Sequence, residues 1–435
     1  MTALVGRVPR RSGPSLGLAL GLALALSLGL GCGGQDPGPT GLGSDSGTSA
    51  SEDTSASEDT DPQVMPQQCA PISVPTLDTP GAQQLERVAT REQIPGLADQ
   101  PTARGQILGT LFAFDGRLHL GYGDYSNNTG PIAMSAWDPL EQTFVDLGEL
   151  PTEEVLWFRA TAEALYSPAV DPDAHQGEGG VYRLDCGAQA WHVGTAIEGA
   201  VHVYDVAVRG EVLYAGTGSL SGQPARLMAS TDRGESWTEV LRHESPADRF
   251  SRVYFLGATD DVLLVSGQEH PAPDVPLAWV RRGSGDFVPL LDVPDRLLVP
   301  IVLGNAMVVA GYVGNPGRGT YQGSYRLDGE RLVPDEPWPM LDGEPPDLVA
   351  WAPQPADDAH DERLLVLLRA ADGGSVVVRT DDLDAGPGGW QTLAVVPPPP
   401  DGDEHVSMAL LLGDLYLGTR QGSLDILRQL EAPAG

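Results

Sequence analysis

The stretch Val208-Arg209-Gly210-Glu211-Val212-Leu213-Tyr214-Ala215-Gly216 reads as two short strands around a tight turn, the second ending in small residues. The same outline stands at Phe114-Asp115-Gly116-Arg117-Leu118-His119-Leu120-Gly121 and at Leu412-Gly413-Asp414-Leu415-Tyr416-Leu417-Gly418. Fainter copies centre on Leu165, Leu264, Val308 and Leu365. The anchors Leu118, Leu165, Leu213, Leu264, Val308, Leu365 and Leu415 are 47, 48, 51, 44, 57 and 50 residues apart.

A period near fifty, filled with short alternating strands and Gly/Asp turns, is the pattern of propeller blades. Long stretches of 3.6-residue periodicity, which a helical solenoid needs, are not found. The sequence therefore predicts an all-β fold, a β-propeller of about seven four-stranded blades over residues 105–430, with six or eight within the spread of the spacings. Residues 69–104 precede the first repeat. Within them, Ile72 to Ile94 is expected to add a strand to the last blade and close the ring, because the chain ends soon after Leu427.

Ser230-Thr231-Asp232-Arg233-Gly234-Glu235-Ser236-Trp237 fits Ser-x-Asp-x-Gly-x-Ser/Thr-Trp at each defined position. It resembles the Asp-box (BNR) repeat of the sialidase-like superfamily of propellers. The resemblance implies a turn between the third and fourth strands of a blade. In it Ser230 and Asp232 shape the loop, the Asp accepting backbone N–H groups. Gly234 supplies a positive φ and Trp237 packs into the sheet interface. It also implies that the box lies on the blade periphery and reports fold rather than activity. Sialidase activity itself is not expected. It would need an arginine triad, a Tyr–Glu nucleophile pair and an early Arg-Ile-Pro-like motif, whose only approximation is Arg7-Val8-Pro9 near the N-terminus.

Residues 1–31 read as a lipoprotein signal peptide. Arg7, Arg10 and Arg11 form a basic start, and Leu16 to Leu30 is a Leu/Ala/Gly run too short to span a bilayer comfortably. It ends at Leu28-Gly29-Leu30-Gly31-Cys32, which resembles the lipobox of bacterial lipoproteins and makes Cys32 the expected lipidation site. Gly33, rather than Asp, follows that cysteine, which favours the outer membrane or cell surface. Residues 32–68 are rich in Gly, Ser, Thr, Asp and Glu and read as a disordered tether. About 36 flexible residues reach roughly 30–35 Å. In an exported chain the two remaining cysteines, Cys69 and Cys186, are expected to form a disulfide.

The acidic residues outnumber the basic ones by 60 to 26, for a net charge of −34. Every basic residue of that set is arginine. This balance excludes a nucleic-acid partner, which needs a basic patch, and leaves the lipid anchor as the expected membrane attachment.

In a propeller, the loops between strands two and three share one face with the blade-to-blade connections. Here that mouth gathers Asp124, Tyr125, Asn127 and Asn128, then Glu154, then His175, then His202, Tyr204 and Asp205. These are the ligand-binding candidates: tyrosines to stack, amides and carboxylates to hydrogen-bond. The expected partner is an extracellular ligand, a glycan or a protein. A carboxylate pair drawn from Glu154, Asp124 and Asp205 is the catalytic alternative, since carboxyls about 5–9 Å apart suit glycoside cleavage. Asp171, Asp173 and Glu178 offer hard oxygen ligands of the kind that suit Ca²⁺, although the loop lacks EF-hand spacing. No other cofactor is expected. Zinc spacing, a nucleophile elbow, a phosphate loop and a dinucleotide fingerprint are all missing from the sequence.

Overall fold

A computed structural model describes Cys69 and residues 83–429, apart from 172–177, 219, 271–274, 315, 317–318, 355–361, 370–373 and 400–401. The expected signal peptide, Cys32 and the expected tether therefore lie outside the described residues, as do Asp173 and His175.

The regular structure of the described chain is mostly strand. β1 (Gln83–Ala89) comes first. β2 (Thr110–Phe114), β3 (Arg117–Gly121), β4 (Ile132–Asp138) and β5 (Thr143–Leu150) follow. Next are β6 (Arg159–Ala160), β7 (Ala164–Pro168), β8 (Val181–Asp185) and β9 (His192–Val193). β10 (His202–Arg209), β11 (Val212–Gly218), β12 (Ala225–Ser230) and β13 (Thr238–His243) lead into β14 (Phe250–Ala258), β15 (Val262–His270), β16 (Val275–Arg282) and β17 (Val288–Pro289). β18 (Leu297–Leu303), β19 (Ala306–Val313), β20 (Thr320–Asp328) and β21 (Arg331–Asp335) come next. Then come β22 (Asp347–Gln354), β23 (Arg363–Arg369), β24 (Ser375–Thr380) and β25 (Gln391–Val396). β26 (His405–Leu411), β27 (Asp414–Thr419) and β28 (Leu424–Gln429) end the fold.

These strands form an all-β propeller arrangement in which five blades are separate four-stranded antiparallel sheets. Four run consecutively, β2–β5, β6–β9, β18–β21 and β22–β25; the fifth has the order β1-β28-β27-β26. β10 to β17 belong to a single eight-stranded sheet. The expected seven separate sheets are thus not observed. The physical reason is local: β11 meets β14 through one backbone pair, Gly218 with Arg252, which fuses two runs of four strands.

The repeated hairpin of the sequence forms as its residues require. Asp115 and Gly116 both take positive φ, 49° and 74°, the conformation a two-residue turn needs if it is to match strand twist. Leu412 and Gly413 repeat it at 52° and 87°. The small residue that closes the second strand has its own cause. A Cβ on Gly216 would lie 2.6 Å from Val253 of β14, and one on Gly121 would lie 2.8 Å from the Val155 carbonyl. Each glycine stands where the next unit's innermost chain crosses.

The core is a series of layers between successive sheets. Leu213 packs with Tyr166, Val203 and Met228, whereas its neighbour Tyr214 faces Val253, Leu263 and Val265. Val308 and Val309 split in the same way between two clusters. Successive side chains point to opposite faces and both faces are covered, so these strands read as continuous apolar runs.

The Ser230–Trp237 turn joins β12 to β13. Ser230 Oγ donates to Asp232 Oδ1 at 2.7 Å and accepts from Gly234 N at 2.8 Å. Asp232 Oδ1 also accepts from Ser236 N at 2.9 Å, and its Oδ2 from Ser236 Oγ at 2.5 Å. Ser236 above all, and then Ser230, hold the Asp232 carboxyl down at about 2. Gly234 has φ 93°, and Trp237 is half-buried against the apolar layer beside Leu213. Cys69 is disulfide-bonded to Cys186, just past β8, with their Cα atoms 5.1 Å apart.

His119 in β3 is 1% exposed and ringed edge-on by Phe114, Phe158 and Trp191 at 6.0, 6.2 and 6.4 Å. Neither ring nitrogen has a hydrogen-bond partner. Burial presses its pKa from 6.5 down to about 3, so the folded protein holds it neutral where the unfolded chain protonates it. The stability this residue contributes is complete above pH 6.5 and is lost as the pH falls towards 3. The loss is about 1.4 kcal/mol per pH unit at its steepest. His119→Leu is expected to flatten that slope in urea unfolding measured from pH 7 to pH 4.5; parallel curves for the two proteins would exclude the effect.

Candidate functional site

The loops that the sequence assigns to one mouth are stitched together by backbone bonds. Asp124 N donates to Glu153 O at 2.9 Å, Glu153 N to Val170 O at 3.0 Å, and Val203 N to Ala169 O at 2.9 Å. Glu154 forms β-bridges with both Gly123 and Val170. The β3–β4 loop, the β5–β6 connection, the β7–β8 loop and the start of β10 therefore share a face.

The three candidate carboxylates are each fully buried, and each has an internal task. Asp124 Oδ2 accepts from Thr102 Oγ1 at 2.8 Å and Asn127 Nδ2 at 2.7 Å, and Oδ1 from Ser126 N at 3.1 Å. Arg104 Nε lies 3.3 Å from the same carboxylate. This is an Asx-type organiser of its own loop. Glu154 Oε2 accepts from Tyr125 N at 3.3 Å. Asp205 takes Arg159 Nη2 at 3.0 Å, Val206 N at 2.9 Å and Leu256 N at 3.0 Å, tying β10 to β14. Burial raises its carboxyl, while Arg159 and the two N–H groups pull the other way. These contacts build walls; none of the three carboxylates lines the recess described below.

Of the other candidates, Tyr125 is half-buried and Tyr204 is buried, whereas Asn127 and Asn128 are exposed. His202 is buried, its Nδ1 3.0 Å from Asp171 Oδ1 and its ring 4.9 Å from that of Tyr204. Asp171 thus serves His202, and Glu178 is half-buried. Among the described residues no cluster of three or more His, Cys, Asp or Glu is arranged to hold a metal ion.

What the structure brings together is an aromatic recess lined by Tyr125, Leu156, Trp157, Tyr204, Tyr254 and Phe255. Two of its walls arise from one device. β10 carries a bulge between Val203 and Asp205, and β14 one between Val253 and Phe255. The extra residues are Tyr204 and Tyr254, which the bulges turn out of the ladder. Their rings meet edge to face at 4.8 Å. Tyr254 Oη sits 2.9 Å from His270 Nε2. Trp157 contacts Phe255 at 5.8 Å and Trp351 of β22 at 5.9 Å, so aromatic contact reaches units far apart in the chain. The guanidinium of Arg252 lies over the rings of Tyr204, at 5.5 Å, and Phe250, at 4.6 Å.

Sequence reading found Tyr125 and Tyr204 but missed Arg252, Tyr254 and Phe255. A signal was present. Val203-Tyr204 and Val253-Tyr254 stand 50 residues apart, one blade period, with His202 and Arg252 in matching places.

No protein-family model matches the chain, and no curated protein matches it by sequence. Solved structures do resemble it. A chain of the mitotic checkpoint complex aligns with a TM-score of 0.48 at 11% identity, covering 82% of this chain and 96% of that one. The computationally designed Ika8 protein gives 0.39 at 12%, covering 74% and 95%. An α-L-arabinofuranosidase from Fusarium graminearum, solved with an iminosugar inhibitor, gives 0.36 at 12%, covering 61% and 90%. Likenesses this distant carry no argument about activity.

If Asp205 is a strut between β10 and β14, removing it strands the half-buried Arg159 guanidinium and two backbone donors. Asp205→Ala is then expected to cost about 3 kcal/mol in urea unfolding, as leaving buried donors to a charged group unsatisfied does. An unchanged unfolding midpoint would return Asp205 to the functional candidates.

Proposed function

We propose that this chain is an exported, lipid-anchored binding propeller that takes its ligand at the aromatic recess. The observation that carries the reading is the division of labour at the mouth. Asp124, Glu154 and Asp205 are buried in internal contacts, while Tyr125, Trp157, Tyr204 and Tyr254 face a shared opening. Flat rings of this kind recognise the apolar faces of sugars and side chains. Cleavage would instead need a carboxylate pair open to substrate and water.

Further features support the same reading. The eight-stranded sheet counts as two blades, because β10–β13 and β14–β17 pack face to face through Tyr214, Leu227, Val253 and Leu263 as neighbouring blades do. With the five separate sheets, this reading gives seven blades. The geometry of the Ser230–Trp237 turn supports kinship with Asp-box propellers, with the box as a peripheral brace. The Cys69–Cys186 disulfide suits an oxidising compartment. The sequence of the leader, Cys32 and the Gly/Ser/Thr-rich segment after it support a position outside the cell membrane.

Two experiments test this. The full chain on a mixed glycan and peptide array is expected to select a ligand whose binding weakens at least tenfold in Trp157→Ala, as for a buried aromatic anchor. Binding unaltered in that variant overturns the site, and glycan turnover abolished by Glu154→Gln would replace binding by catalysis. In a producing bacterium, labelled palmitate is expected to enter the wild type and not Cys32→Ala; equal labelling of both removes the anchor.

A further inference from the structure

We infer that the Cys69–Cys186 disulfide is a redox-sensitive latch on the ring. Oxidised, it keeps β1 seated on β28; reduced, it lets β1 leave and opens the edge of the last blade. The inference rests on the fold and is independent of what the recess binds. β1 is lightly held. It pairs with β28 along one edge, and among the described residues its other edge pairs with no strand. Of its described side chains only Ala89 is fully buried, while Leu85 and Val88 are partly covered. Its Glu86 meets Arg428 where both side chains are exposed, which adds little. β28 differs, for it buries Leu424, Asp425, Ile426 and Leu427. A strand with few buried contacts opens before the rest of a fold, and its departure leaves an unpaired edge on β28.

The disulfide sits in another blade. Cys69 N donates to Ala162 O at 2.9 Å and Cys186 N to Glu163 O at 3.0 Å, so both ends of the bond rest on the β6–β7 turn. That corner is braced on two sides. Gly187 N donates to Asp115 Oδ2 at 2.8 Å in the β2–β5 blade, and Asp185 pairs with Arg233 of the β12–β13 turn. The bond therefore ties the chain to a firm point, and β1 begins 14 positions further on, at Gln83.

After β1 the chain is gripped again at Ile94 and Leu97, both buried. With the disulfide intact, a released β1 belongs to a loop of 24 residues, 70 to 93, held at both ends. Without the bond the same residues are a free tail. Closing a loop of that length removes chain entropy from the opened state, enough to shift the opening equilibrium on the order of a hundredfold. A bond in the second blade thus governs a strand in the last. Both cysteines are half-buried, which leaves the bond within reach of a dithiol from solvent. That dithiol gives up two electrons and two protons and closes into its own disulfide, while the Cys69–Cys186 S–S bond breaks into two thiols.

Hydrogen–deuterium exchange on the folded full chain tests the latch, first oxidised and then treated with dithiothreitol until the mass shows two added hydrogens. The reading is the exchange rate of β1 amides relative to those of β25, the outermost strand of the neighbouring blade. The ratio cancels any loss of stability that the whole fold shares. It is expected to rise at least tenfold on reduction, and Cys69→Ser is expected to match the reduced wild type. Reduction of the folded wild type needs no refolding, so it decides the question even if the variant folds poorly. A bond that resists dithiothreitol leaves the decision to the variant. The latch is overturned if the ratio is unchanged, whether because neither strand responds or because β1 and β25 lose protection together.

Discussion

Pairing between β1 and β28 joins the two ends of the described fold, and the rest of the ring depends on it. Gln83 to Ala89 run antiparallel to Leu424–Gln429, so one blade is built from both ends of the chain. Without β1 that blade would be a three-stranded sheet with an open edge, an invitation to wrong pairing. Side chains lock the seam. The buried carboxylate of Asp425 takes Arg87 Nε at 2.5 Å and lies 3.2 Å from His405 Nε2. Ser407 Oγ donates to Leu108 O at 2.7 Å, fastening the last blade to the approach of β2. Residues 338 apart are held together by the first of these contacts, so closure carries a large entropic cost that the face-to-face layers must offset.

Closure also explains how a repeated fold acquires one distinctive place. Every innermost strand meets its neighbours around the same axis, and equivalent positions would present equivalent side chains. The bulges break that equivalence. Register shifts occur in β10, β14, β22 and β26, and the extra residues are Tyr204, Tyr254, Val349 and Val406. Only β10 and β14 spend theirs on tyrosine. The same two strands flank the Gly218–Arg252 pair that fuses the sheets. Asp205, at the foot of the first bulge, bonds Leu256 N beyond the second. Recess, seam and strut are therefore one local structure.

How much of this the sequence carried depends on distance along the chain. The hairpins were legible because Asp115-Gly116 and Leu412-Gly413 settle their turns within two residues, and the layered core was legible because alternate burial repeats with period two. Sheet boundaries were less so, because one backbone contact, invisible in composition, merges two units. The shared face of the loops was legible from the repeat, whereas the internal partners of its carboxylates were not. Asp124, Glu154 and Asp205 have the right chemistry for a site, but their partners Thr102, Tyr125 N and Leu256 N are found only in three dimensions. Arg252 was passed over for the opposite reason: an arginine in a strand reads as a solvated edge, and its place over the rings of Tyr204 and Phe250 is visible only in three dimensions.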